Sequence, residues 1–216
     1  MIKFENVTAT YKKNTGVFNI SFQVDSGDLV FIMGPTGSGK STILKTIYKD
    51  MLIDSGIIKI DNEDITSINS SIHTSTIRKK IGMVFQDFKL LSDYTVFENI
   101  ALPLRIEGYS RSKINDLVQE SLNKVGLPAK GLFYPLQLSG GEQQRICIAR
   151  ALVKKPRIIL ADEPTGNLDP NISDEILDLL EICTDSGSTV LMSTHNFPLI
   201  KPRNKKFIEL SKGRMV

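Results

Sequence analysis

Nine consecutive residues carry the clearest chemistry in the chain: Gly34-Pro35-Thr36-Gly37-Ser38-Gly39-Lys40-Ser41-Thr42. The glycines let the backbone curl until its N–H groups point inward at an anion, Lys40 adds a mobile positive charge, and Ser41 offers a hydroxyl to Mg²⁺. A nucleoside triphosphate bound with its metal is the ligand that uses all three. About 120 residues further on, the apolar run Ile158-Ile159-Leu160-Ala161 ends in adjacent acids, Asp162 and Glu163. Such a run places the acids at the C-terminal edge of a buried strand, where open parallel sheets hold ligands. There Asp162 suits the Mg²⁺ shell, and Glu163 suits orienting or deprotonating an attacking water. An acidic pair closing a strand is ordinarily a solvated loop start. Beside a phosphate-binding loop it reads as the hydrolytic half of one site.

A third stretch, Leu138-Ser139-Gly140-Gly141-Glu142-Gln143-Gln144-Arg145, opens a helix. Ser139 followed three residues later by Glu142, ahead of apolar Ile146, Ala149, Leu152 and Val153, is a capping box. Two glycines in a first turn weaken a helix, and what they supply is bare backbone N–H at its positive end, a second anion site. Two such sites in one chain imply that one triphosphate is gripped by both. If one subunit cannot fold them together, two subunits can.

The elements that must position these residues follow from patterning. Continuous apolar runs at 29–33, 158–161 and 189–192 predict strands buried on both faces of a largely parallel sheet. Phe18, Ile20, Phe22 and Val24 recur at every second residue and predict a half-buried strand, in an antiparallel flanking sheet with 3–7 and 57–60. From about Tyr94 to Pro135 the pattern turns helical, with Ile114, Leu117, Val118, Ser121, Leu122 and Val125 closed by Gly126. The fold class expected is therefore α/β, a mainly parallel core with an antiparallel β subdomain and an inserted helical lobe. The tail 207–213 reads as a last strand and turn. With 216 residues, 41% hydrophobic and 24% charged, the composition is that of a globular chain. No apolar run is long enough to span a bilayer, and 1–6 lacks the features of a leader. Cys147 and Cys183 fit a reducing compartment, so a cytoplasmic location is expected. A net charge of +3 is too mild to argue for nucleic acid, and no nucleic-acid partner is expected.

With these residues in this order, the sequence resembles the ATP-binding subunits of ABC transporters, whose signature looks like residues 138–143. The resemblance covers essentially the whole chain. It implies a P-loop NTPase fold of the ABC type in a single domain, 1–216, with the α/β core and β subdomain at about 1–85 and 155–216. The helical lobe with the signature would occupy about 86–154. It further implies that Tyr11 stacks on adenine, Gln86 reaches the metal and the membrane partner, Asn167-Leu168-Asp169 crosses a dimer, and His195 contacts the γ-phosphate. Each is weak alone, and their joint order carries the weight. The implied nucleotide contacts are Tyr11, 34–42, Ser139, Gly140, Gly141, Glu142 and Asp169. The implied metal set is Ser41, Gln86 and Asp162, and the catalytic set Glu163, His195, Lys40 and Gln86.

What this resemblance implies is ATP hydrolysis with Mg²⁺ in a head-to-tail homodimer that ATP closes and hydrolysis opens. Within the family, 85–91, 95–99 and 161–169 look most like a cell-division branch, close to the lipoprotein-release and macrolide-export ATPases. That branch implies an FtsX-like integral membrane protein as partner, with this chain peripheral on the cytoplasmic face of the cell membrane. The alternative is the energy module of a lipoprotein-release or macrolide-type exporter. Residues 84–91 with Tyr94 and Phe97 form a candidate partner patch, or else pack the helical lobe. Asn196 stands where the branch commonly has aspartate.

Overall fold

The computed structural model describes residues 1–12, 15–66 and 70–216. In chain order the strands and helices are β1 (Ile2–Lys12), β2 (Thr15–Val24), β3 (Leu29–Met33), α1 (Lys40–Ile47), β4 (Ser55–Ile60), β5 (Glu63–Asp64), α2 (Ser71–Lys79) and β6 (Ile81–Val84). There follow α3 (Val96–Ile106), α4 (Arg111–Lys124), α5 (Gly140–Leu152), β7 (Ile158–Asp162), α6 (Pro170–Asp185), β8 (Thr189–Thr194), α7 (Phe197–Ile200), β9 (Lys206–Ser211) and β10 (Arg214–Met215). Short 3-10 turns occupy Pro135–Gln137 and Lys201–Arg203.

Two sheets form, and each follows from its patterning. The antiparallel one runs β2-β1-β4-β5, and the other β10-β9-β3-β8-β7-β6. In the second, β9, β3, β8, β7 and β6 are mutually parallel. All six residues of β8 are buried, as are the first four of β3 and of β7, which is why β3, the first four residues of β7 and Val190-Leu191-Met192 of β8 are apolar without alternation. Alternate residues serve opposite faces. Phe31, Ile159, Ala161, Val190 and Met192 join the core formed with α3, α4, α5 and α6, while Val30, Ile32, Ile158, Leu160 and Leu191 join the one formed with α1 and the antiparallel sheet. The helices between β6 and β7 therefore share a continuous core with one face of the parallel sheet. Burying each such Ile or Leu contributes roughly 1.5–3 kcal/mol.

Register decides what meets at the sheet edge. Met33 pairs with Thr194 and Asp162 with Ser193, so the loop at 34–39, the acids and His195 all leave the sheet from adjacent strand ends. The helix at α4 buries Ile114, Leu117, Val118, Ser121 and Leu122, the predicted face, and Gly126 follows its end at φ 74. Unforeseen elements are α2, whose one buried residue is Ile77, and the four-residue β6. On β6, α5 approaches so closely that a Cβ on Gly82 would stand 2.5 Å from the Ala151 carbonyl oxygen. Neither backbone can yield cheaply, so Gly82→Ala is expected to lower unfolding free energy by about 1–3 kcal/mol, read as a fall in melting temperature. Unchanged melting would show that α5 can slide on the sheet.

Candidate active site

The loop between β3 and α1 is built for a backbone that side chains would obstruct. Gly34 lies at φ 149, where a Cβ would meet the Leu210 carbonyl at 2.3 Å. Gly39 lies at φ 104, where one would meet Val17 at 2.4 Å. Ser38 N donates to the Pro35 carbonyl (3.1 Å) and Gly213 N to the Ser38 carbonyl (3.1 Å), which fixes the curl. Ser38 Oγ is buried without a partner among the described residues, and Thr42 is buried while Pro35, Thr36 and Gly37 face solvent. Lys40, 4% exposed, folds back into the loop and uses all three of its protons. Its Nζ lies 2.8 Å from the Gly34 carbonyl, 3.1 Å from that of Pro35 and 3.1 Å from Glu163 Oε1.

At the end of β7, Asp162 Oδ1 accepts from Ser41 Oγ (2.9 Å) and from Ser193 Oγ (2.6 Å). Glu163 turns left-handed at φ 43, an uncommon conformation for a residue with a Cβ, costing on the order of 1 kcal/mol. Its N–H donates to Ser193 Oγ at 2.9 Å, which helps hold the turn. The carboxylate is then clasped between Lys40 and His195, whose Nδ1 lies 2.6 Å from Oε2. Sequence reasoning missed Ser193, one of three buried hydroxyl residues of β8, which organises both acids. Gln86 comes in from the loop after β6. A methyl on Gly166 would stand 3.6 Å from both Gln86 Nε2 and Glu163 Oε2, so the amide and the acid both border this glycine. Tyr11 stands half exposed beside α1, with Lys45 Nζ 3.5 Å from its hydroxyl.

The loop carrying Gln86 is held at two points that the sequence did not reveal. Phe88 and Lys89 are consecutive non-glycine residues at φ 58 and 51, and Arg150 of α5 donates to both their carbonyls. Asn99, fully buried, accepts from Leu91 N and donates to the carbonyls of Leu91, Tyr94 and Thr95. The expected partner patch divides. Phe88, Leu90 and Phe97 pack against the core and Val84 is buried, whereas Leu91 and Tyr94 remain 41% and 40% exposed. Val84 and Phe97 belong to β6 and α3, and the Phe88 carbonyl is held on α5 by Cys147 and Arg150.

The tip of α5 forms the expected capping box: Glu142 N donates to Ser139 Oγ (3.3 Å) and Ser139 N to Glu142 Oε2 (2.9 Å). The bond from the Ser139 backbone, with Lys130 at 3.0 Å, holds the Glu142 carboxyl below its ordinary range. Asp169 caps α6 through the N–H groups of Asn171 and Ile172. This tip is not joined to the Lys40 loop. Its neighbours are Lys130, Leu168 and Ile172, whereas the loop's are Asp162, Glu163, Leu210 and Gly213.

A glycine-rich turn opening a helix, with two acids and a histidine converging from neighbouring strand ends, defines a P-loop ATPase. A family model described as ABC transporter matches residues 17–166. The chain belongs to that family, and it is an ATP-binding and ATP-hydrolysing subunit of the ABC type. Over its full length it is 44% identical to the cell division ATP-binding protein FtsE of Escherichia coli (strain K12), covering 97% of that protein. It is 42% identical to the protein of the same name from Mycobacterium tuberculosis, covering 94%. Among solved structures, the dimeric bacterial ABC transporter cassette MJ0796 superposes with a TM-score of 0.89 at 38% identity, over 100% of this chain and 96% of that one. A dimeric post-hydrolysis state of the same cassette, bound to ADP and Pi, gives 0.88 at 37%, with the same coverage of both chains. Among the described residues, no helix is long and apolar enough to cross a membrane.

Proposed function

We propose that two copies of this chain close head to tail around two Mg-ATP and pass the motion to an FtsX-like membrane protein that controls cell-wall hydrolysis during division. Each nucleotide would lie on Lys40, Ser41 and Glu163 of one copy and on Ser139, Gly140 and Gly141 of the other, with Tyr11 against the adenine and Asp169 at the crossing. The observation that carries the sandwich is Gly140. Among the described residues a Cβ there would meet nothing nearer than a Leu168 methyl at 3.8 Å, so none of them requires a glycine. Helix propensity argues against one, and the requirement comes from a molecule approaching from outside. The dimeric cassettes that this chain resembles, at 38% and 37% identity, point the same way.

Ser41 Oγ and Asp162, 2.9 Å apart, are hard oxygen donors and few in number. That suits Mg²⁺, which keeps waters and phosphate oxygens as its other ligands, and the family resemblance adds Gln86 to them. When bound, the metal would supply charge neutralisation at the phosphates. Phosphate oxygens arriving at Lys40 would replace Glu163 as its partner and leave that carboxylate to orient a water. With Nδ1 engaged by Glu163, His195 keeps its other nitrogen for the γ-phosphate. Gly140→Ala is expected to raise the stability of the nucleotide-free chain by up to about 1 kcal/mol while lowering turnover about tenfold or more. A variant as active as the wild type would mean that nothing approaches this helix tip.

For the membrane partner, identity to the FtsE proteins over the full chain gives direction, and a groove beside β6 gives a seat. It encloses about 600 Å³ between apolar Phe85, Leu102 and Ile106 and cationic Arg78, Arg150 and Lys154. A cytoplasmic segment of the partner would hold the subunit peripherally on the inner face of the cell membrane. The test is reconstitution with an FtsX-like protein in nanodiscs, where co-purification and a severalfold rise in ATP hydrolysis are expected. Binding to an export permease instead would move the subunit to the lipoprotein-release or macrolide systems.

A further inference from the structure

Of the groups that hold the Gln86 loop, those meeting Phe88 and Lys89 belong to α5. Arg150 Nη2 donates to the Phe88 carbonyl at 2.7 Å and Nη1 to that of Lys89 at 2.6 Å. Cys147, one turn earlier, places Sγ 2.6 Å from the same Phe88 oxygen. Burial pushes the Cys147 thiol up, so it stays protonated and donates. Two successive left-handed residues with side chains persist only where their surroundings impose them. A planar cation forking onto two adjacent carbonyls imposes them, and a lysine ammonium cannot reproduce that fork.

We propose that Arg150 is a positioning residue, fixing Gln86 at the phosphate site through the Phe88 and Lys89 carbonyls so that Gln86 follows every displacement of α5. The same helix begins at Gly140, so the tip proposed to meet the second copy's nucleotide and the loop at this copy's nucleotide become ends of one lever. Arg150 also lines the groove beside β6, so an occupant there and the Gln86 loop share one side chain. The inference rests on the role assigned to Gln86 above.

The test compares Arg150→Lys, Arg150→Ala, Gln86→Ala and the double variant Arg150→Ala/Gln86→Ala in the full chain. Arg150→Lys keeps the stem and the charge and carries the test should the alanine variant not fold. For each, turnover, ATP affinity, melting temperature and amide exchange over residues 86–91 are measured. Losing the fork is expected to lower kcat about tenfold with ATP affinity within about twofold, and to speed exchange over 86–91 about tenfold. In the Gln86→Ala background the further loss of Arg150 is expected to change kcat less than about twofold, because both act through one group. Multiplying effects in the double variant, or unchanged exchange over 86–91, would overturn the clamp. Wild-type turnover in Gln86→Ala would overturn the role of Gln86 instead, with the exchange rates still deciding whether Arg150 restrains the loop.

Discussion

Glu163→Gln is expected to lower turnover by roughly 10²- to 10⁴-fold, the usual contribution of a positioned general base, while ATP affinity stays within about threefold. The substitution is nearly isosteric, and the geometry tolerates it. An amide oxygen can still accept from Lys40 Nζ, which stands 3.1 Å from Oε1 in the wild type. The backbone turn survives too, because it is held through the N–H of residue 163 by Ser193 and not by the side chain. What disappears is the negative charge that the proposed base would use to take a proton from water. Single-turnover phosphate release and equilibrium ATP binding on the same preparation separate the two effects. Turnover within a few-fold of wild type would remove Glu163 from the reaction.

Lys40→Met is expected to weaken ATP binding by about 10- to 100-fold, because each charge-assisted hydrogen bond to a phosphate oxygen is worth roughly 1.5–3 kcal/mol. Methionine keeps most of the stem, so the buried channel that places Nζ between the two loop carbonyls and Glu163 stays filled. The loss then reports the charge rather than a collapsed loop. It also leaves Glu163 without a cation in the nucleotide-free state, so the variant is expected to melt lower as well. Titration calorimetry with ATP reads the first effect and thermal unfolding the second. Preserved affinity would mean that the phosphates sit elsewhere than in the loop at 34–39.

How much of this was legible in the sequence depends on whether a residue acts locally or across the fold. The loop at 34–42, the acids after 161 and the capping box at Ser139 announce themselves, since each signal lies within a single turn of chain. The fully buried strands were equally plain, because two-sided burial demands unbroken apolar runs. By contrast, β6 is only Ile81-Gly82-Met83-Val84, too short for a pattern, and α2 buries one residue on an otherwise polar surface. Ser193, Asn99 and Arg150 were invisible for a different reason. Ser193 matters because β8 lies beside β7 in a register that brings its hydroxyl to Asp162. Arg150 matters because a loop remote in sequence lies on α5 and needs its carbonyls met, and Asn99 because the turn just before its own helix folds back onto it. Nothing in the neighbouring residues encodes those meetings.

A single sedimentation experiment bears most directly on the sharing of nucleotide between copies: Glu163→Gln with Mg-ATP, then with Mg-ADP, alone and with the membrane protein in nanodiscs. The expected result is a dimer holding two ATP per pair that reverts to monomer with ADP and fails to form in Gly140→Ala/Glu163→Gln. A strictly monomeric species, saturated with ATP at one per chain even beside the proposed FtsX-like membrane protein, would contradict the shared site.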